Sequence, residues 1–155
     1  MRNNYLKVTA MRTKYYIDTE GQDNQAMEEA LFHSKTLLDK DNEIERIVFL
    51  ILTKKHTSRL EEYYGDRKVI NQLFIGKEFD GFNTWFKIET IKTYKHYSHG
   101  NSVDIVICLG LSDIELFTVS KNESAKYMIA IPSLRKNIDG WVFAERALNL
   151  RRHID

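Results

Sequence analysis

Apolar residues in this chain fall either into short continuous runs or into stripes at helical spacing. In ERIVFLILT, six consecutive apolar residues from Ile47 to Leu52 predict a strand at 46–52 covered on both faces. GNSVDIVICLGLSD carries a second run that predicts a strand at 103–109, and KYMIAIPS a third at 126–131. Near the start, Leu6, Val8 and Ala10 alternate, which suits a strand at 5–10, with Tyr15, Tyr16 and Ile17 extending it or returning as a hairpin. KVINQLFIG, bracketed by Gly65 and Gly76, reads as a strand at 69–75, although Val69, Ile70, Leu73 and Phe74 also fit a helical stripe.

Between these runs the period changes. Met27, Ala30, Leu31, Leu37 and Leu38 predict a helix over 24–40, capped by Asn24 or Asp23. Ser58-Arg59-Leu60-Glu61 has the form of a capping box and starts a short helix that ends near Gly65. Ile88, Ile91, Tyr94 and Tyr97 recur every three residues, so 85–98 reads as a helix capped by Asn83 or Thr84 and ended by Gly100. The rival is a strand over 86–94, supported by Phe86, Ile88 and neighbouring β-branched residues. Ser112 caps a short helix through Phe117, and Asp139 begins a last helix, Gly140 to Leu150, with Trp141, Ala144 and Leu148 on one side.

Strands alternating with helices, the inner strands apolar throughout, predict one α/β domain over residues 1–155. The expected form is a small Rossmann-like (flavodoxin-like) three-layer sandwich with a mainly parallel sheet of about five strands. One proline and seven scattered glycines leave no linker, repeat or low-complexity tract.

Composition narrows the function classes. Lys plus Arg total 23 against 22 Asp plus Glu, so no global field recruits nucleic acid or an anionic membrane. The lone Cys108 permits no internal disulfide and is expected to be a buried apolar residue. The N-terminal residues hold no apolar signal region and no apolar run is long enough to span a bilayer, so a cytoplasmic protein without membrane partner is expected.

In open parallel sheets, ligands bind beyond the carboxyl ends of the strands. Those ends are TKKHTS, GKEFDGFNT, GLSD and PSLRKN, which bring Thr53, Lys54, Lys55, Thr57, Ser58, Gly110, Ser112, Asp113 and Arg135 forward as ligand-binding candidates. Lys77, Asp80, Asn83 and Lys136 lie in the same segments. Cations, hydroxyls and free amides at helix starts are the groups that hold phosphate, so a small phosphate-bearing, nucleotide-like ligand is the class expected. Gly110 either lets a ligand approach the backbone or merely permits the turn. His56 is the candidate general acid or base of an enzymatic alternative, a nucleotide-processing hydrolase or transferase. A third alternative is a non-catalytic interaction subunit or homodimer using Trp141, Val142 and Leu148 or the tyrosine pairs.

GxGxxG, Walker A and GxSxG motifs are all absent. No metal site is expected, the His96/His99 pair having no carboxylate or cysteine near it in sequence. The residues name no cofactor.

At pattern level, MEEALFHSKTLL, IVFLILT, FIGKEFDGFNTWF and VDIVICLGLSD, from Met27 to Asp113, resemble in their order the CRISPR-associated Rossmann-fold (CARF) sensor domains. GLSD stands where some members carry an Asp-Thr-His-Gly loop. The resemblance implies a cyclic oligoadenylate, with ring cleavage in some members, held across a dimer cleft by Thr53, Gly110, Ser112 and Asp113.

Overall fold

The computed structural model describes residues 12–94 and 102–151. The expected strand at 5–10 and the His96/His99 pair lie outside them. Among the described residues, seven strands form one sheet in the order β3-β4-β2-β5-β6-β1-β7. They are β1 (Thr13–Tyr16), β2 (Arg46–Ile51), β3 (Lys77–Glu78), β4 (Trp85–Thr90), β5 (Asp104–Leu109), β6 (Ala125–Ile131) and β7 (Leu148–Asn149). All neighbours pair in parallel except β3, which runs against β4. The helices are α1 (Asn24–Lys40), α2 (Ser58–Tyr64), α3 (Arg67–Ile75), α4 (Ile91–Tyr94), α5 (Asp113–Ser120) and α6 (Asp139–Glu145), with a 3₁₀ turn at Arg135–Ile138.

Alternation along the central strands divides the core in two. Ile47, Phe49 and Ile51 of β2 join Ile105, Ile107 and Leu109 of β5 on one face, under Met27 and Ala30 of α1, Leu60 of α2 and Ile70 and Leu73 of α3. Val48 and Leu50 join Val106 and Cys108 on the other face, under Leu116 and Val119 of α5 and Trp141 of α6. The result is a three-layer α/β sandwich with a mostly parallel sheet. It has seven strands rather than about five, because β3 and β7, two residues each, extend the edges.

Two elements differ from the sequence reading. Residues 67–75 form α3, not a strand: Asp66 accepts from the Lys68 amide at 2.8 Å, and Ile70 and Leu73 are buried while Asn71 and Gln72 between them are exposed. Two adjacent exposed residues inside an apolar segment fit a 3.6-residue period and break a two-residue one. Residues 85–90 form β4 rather than a helix, paired in register with β2 from Arg46↔Trp85 to Ile51↔Thr90. Phe86 and Ile88 are buried on one face. Their polar alternates find partners on the other, where Lys87 and Glu89 lie 3.7 Å apart and Arg46 reaches Glu89 at 3.4 Å.

The last helix stops at Glu145, short of Leu150, where Arg146 takes a left-handed φ of 55° and the chain turns into β7. No helix among the described residues is long and apolar enough to cross a membrane.

Candidate functional site

β2 and β5 are neighbours, but their connections depart in opposite directions. β2 leads through α2 and α3 on one face to β4, whereas β5 leads through α5 on the other face to β6. Among the parallel strands they alone diverge in this way, and divergence of adjacent strands defines the switch point where open α/β sheets leave a crevice. Its walls are the 52–57 loop after β2 and the 110–112 turn after β5, with the loop that follows β6 beside them.

A single arginine runs beneath the 110–112 turn. Arg59, in the first turn of α2, donates from Nη2 to the Pro132 carbonyl at 3.0 Å and to Ser133 Oγ at 3.2 Å. It thus reaches from the end of β2 past β5 to the end of β6. Gly110 has a φ of +72°, and a Cβ built on it would stand 2.9 Å from the same Ser133 Oγ. The glycine is therefore where the Ser133 hydroxyl, held by Arg59, lies against the turn. Arg59 is only 9% exposed. Its Nη1 is buried with no hydrogen-bond partner, and no carboxylate pairs with it among the described residues. Burial pulls the guanidinium below its ordinary pKa, partly opposed by the charge of Asp23.

The remaining candidates divide into those open to the crevice and those held by the fold. Thr53, Lys54, Lys55, His56 and Ser58 are exposed, and neither lysine makes an ion pair among the described residues. Thr53 Oγ1 lies 2.7 Å from His56 Nδ1, which orients the ring and leaves Nε2 toward solvent. Thr57 is buried, its hydroxyl donates to Glu61, and as the N-cap of α2 it makes no side-chain bond to the helix amides, so the capping box expected at Ser58–Glu61 does not form.

At the next wall, Ser112 gives both its amide, at 2.7 Å, and its hydroxyl, at 2.8 Å, to Glu115. Asp113 accepts the Trp141 amide at 2.7 Å and lies against Gly140, so its carboxylate serves the start of α6. Arg135 is likewise engaged: it pairs with Asp18 at 3.3 Å and Asp139 at 2.5 Å, and lies 4.6 Å from the centre of the Tyr16 ring.

Lys77, Asp80 and Asn83 leave the site. With 67–75 helical, the 76–84 segment leads into Trp85, the residue of β4 that pairs with Arg46 at the amino end of β2. It therefore lies at the amino ends of the strands, at the opposite end of the sheet from the crevice. The strand end that replaces it, after β4, borders a groove of about 420 Å³ lined by Lys54, Arg67, Lys87, Glu89, Thr90 and Thr93. Behind it Glu89 is 3% exposed and accepts from Thr93 at 2.7 Å.

Farther from the crevice, Asp104 is fully buried with Arg46 at 3.0 Å and the Tyr94 hydroxyl at 2.8 Å. Cys108 is buried, and desolvation raises its pKa. Trp141, read as a docking residue, is fully buried in its own core with Nε1 on Ser120 Oγ at 3.0 Å. No cluster of three His, Cys, Asp or Glu side chains suited to a metal occurs among the described residues.

Sequence reasoning missed Arg59 and Ser133. One local signal marked Arg59: a cation in the first turn of a helix opposes the helix dipole and invites another explanation. Ser133 carried no such signal. The CARF resemblance loses one of its segments, since FIGKEFDGFNTWF leads into a strand and not a helix. In comparisons with family models, curated proteins and solved structures, nothing matches this chain.

Proposed function

We propose that this chain is a Rossmann-like ligand-binding domain that takes a small phosphate-bearing, nucleotide-like molecule in the crevice between the 52–57 loop and the 110–112 turn. The observation that carries the reading is the divergence of β2 and β5. β4, β2, β5 and β6 follow the 2-1-3-4 order of a flavodoxin-like sheet, with β1 in the fifth place. Lys54 and Lys55, without an ion pair among the described residues, supply cationic charge to one wall, and Gly110, without a side chain, keeps the other low. Ser112, Asp113 and Arg135 support the walls, their polar groups being engaged within the fold.

Binding is tested by thermal denaturation against nucleoside mono-, di- and triphosphates, cyclic nucleotides and phosphorylated sugars. A ligand at a hundred times its Kd stabilises by about 2.7 kcal/mol, or roughly 5–10 °C for a domain of this size. Amide chemical shifts then locate it. Silence across the whole panel, or shifts away from both loops, refutes the reading.

His56 supports an enzymatic second reading, because Thr53 fixes its ring and leaves Nε2 free to exchange a proton. Turnover of a bound nucleotide that His56→Ala abolishes while binding persists would establish it. Binding without turnover would leave a sensor.

A further inference from the structure

We propose that the groove between α3 and β4 is a second phosphate subsite, in which Lys54, Arg67 and Lys87 hold a phosphate of the same ligand that occupies the crevice. The inference rests on the crevice reading above and gives the ligand class: a nucleotide carrying a second phosphate away from the first. Lys54 joins the two places, since it belongs to the 52–57 loop and also lines the groove. The groove exists because β3 pairs only with Trp85 and Phe86, which leaves the outer edge of β4 from Lys87 to Thr90 open among the described residues. Its volume of about 420 Å³ falls within the roughly 300–1,000 Å³ of small-molecule sites.

Three elements each bring one cation to the groove: Lys54 follows β2, Arg67 opens α3 and Lys87 lies on β4. Lys87 is fixed in advance. Its ammonium donates to the Phe74 carbonyl at 2.8 Å, in the last turn of α3, and stands 3.7 Å from Glu89. The side chain remains 30% exposed, and an ammonium has three donors, so it has one to give to a phosphate oxygen. Arg67 meets Glu61 in a pair whose side chains are 61% and 42% exposed. Exposed pairs contribute little, so the guanidinium exchanges that partner for a phosphate readily. Glu89 is the one carboxylate lining the groove among the described residues, and it does not close it to anions. It is 3% exposed, with Arg46 at 3.4 Å and the Thr93 hydroxyl at 2.7 Å, so its charge is answered inside the fold. Asn71 and Phe74 share the helix face of Arg67 and offer an amide and a ring to the sugar or base between the two phosphates.

The test is a titration of the whole protein with adenosine 3′,5′-bisphosphate and with AMP, at constant ionic strength set with chloride, followed by backbone amide resonances. The bisphosphate should bind about tenfold to a hundredfold more tightly than AMP, the usual gain for one charge-assisted hydrogen bond. It should move the amides of Asn71, Lys87 and Thr90 as well as those of 52–57 and 110–112. The preference over AMP should be lost in Lys87→Met and reduced in Arg67→Gln. Equal affinity for the two probes, or a preference that survives both substitutions, overturns the inference. If AMP still moves the 52–57 and 110–112 amides in that case, the crevice reading stands. Movement at the groove without movement at those two loops refutes the crevice reading and the two-phosphate ligand with it, and if neither probe binds, both fall. Should Lys87→Met fail to fold, Arg67→Gln, at an exposed side chain, decides the matter.

Discussion

Replacing Gly110 by alanine probes the contact on which the site is built. The substitution forces a side chain into a φ of +72° and sets its Cβ 2.9 Å from Ser133 Oγ. The left-handed backbone costs an L-residue about 1–2 kcal/mol, offset by roughly 0.4–1 kcal/mol because alanine restricts the unfolded chain more than glycine does. Ser133 is exposed and can rotate away, but it then gives up the 3.2 Å bond from Arg59. A hydrogen bond to a charged group contributes about 1.5–3 kcal/mol. The expected total is about 2–4 kcal/mol, and the melting temperature should fall by roughly 4–16 °C.

Urea denaturation of Gly110→Ala, Ser133→Ala and the double variant separates the parts. With the hydroxyl removed, the alanine at 110 should cost only the backbone share, about 1 kcal/mol, so the two substitutions couple by about 1.5–3 kcal/mol. If Gly110→Ala costs the same in both backgrounds, the Ser133 hydroxyl does not lie against the turn.

Three further substitutions test the surrounding fold. Asp104→Ala removes the buried carboxylate that meets both Arg46 and the Tyr94 hydroxyl, and should cost roughly 3–5 kcal/mol in urea denaturation; a loss under 1 kcal/mol would contradict that network. Trp141→Ala should destabilise by about 3–5 kcal/mol without changing the mass in solution, because the ring is fully buried within its own chain; a changed mass would restore it as a docking residue. Asp23, the cap of α1, has its pKa held below 3.8 by the Thr19 hydroxyl, against the opposing effect of burial, with Arg151 and the Ala26 amide adding to the lowering. Its depressed folded pKa gives stability that is present above 3.8 and is lost as pH falls through the folded value. Asp23→Asn keeps a capping side chain but loses the charge, so part of the stability lost between pH 5 and pH 2 should vanish; an identical acid limb would sink the assignment.

How much of this was legible depended on whether a residue's role is set by its neighbours in sequence or across the sheet. Helix α1 was readable to its ends because Met27, Ala30 and Leu37 repeat at 3.6 residues behind a capping Asp23. β2, β5 and β6 were readable because burial on both faces requires continuous apolar runs. The stretches 69–75 and 85–90 were misread for a common reason: each is short, and its polar residues have a meaning only in the tertiary fold. Asn71 and Gln72 face solvent on a helix, whereas Lys87 and Glu89, which resemble a helix's wet side, sit on a strand face closed by Arg46. That exchange also moved Lys77, Asp80 and Asn83 to the amino ends of the strands, away from the crevice. The Gly110 turn was legible as a place where something approaches the backbone, but not that Ser133 does so. Arg59 reaches Pro132 across 73 positions of chain, a distance that closes only once β6 lies beside β5.

The residues that looked most like a binding site from sequence are largely those the fold uses for itself, and there is a physical reason. Ser, Thr and Asp after a strand are where ligands bind, but they are also what a new helix needs for its free amides. Ser112 and Asp113 meet that second demand, one in the capping arrangement of α5 and the other at the Trp141 amide of α6. Arg135 similarly links two carboxylates on the loop after β1 and on α6. A group remains available to a ligand when the fold has no use for its charge. The exposed Lys54 and Lys55 meet that condition, since neither makes an ion pair among the described residues. The search for a ligand therefore begins at the 52–57 loop, whose cations the fold leaves in solvent, rather than at the polar turn beside it.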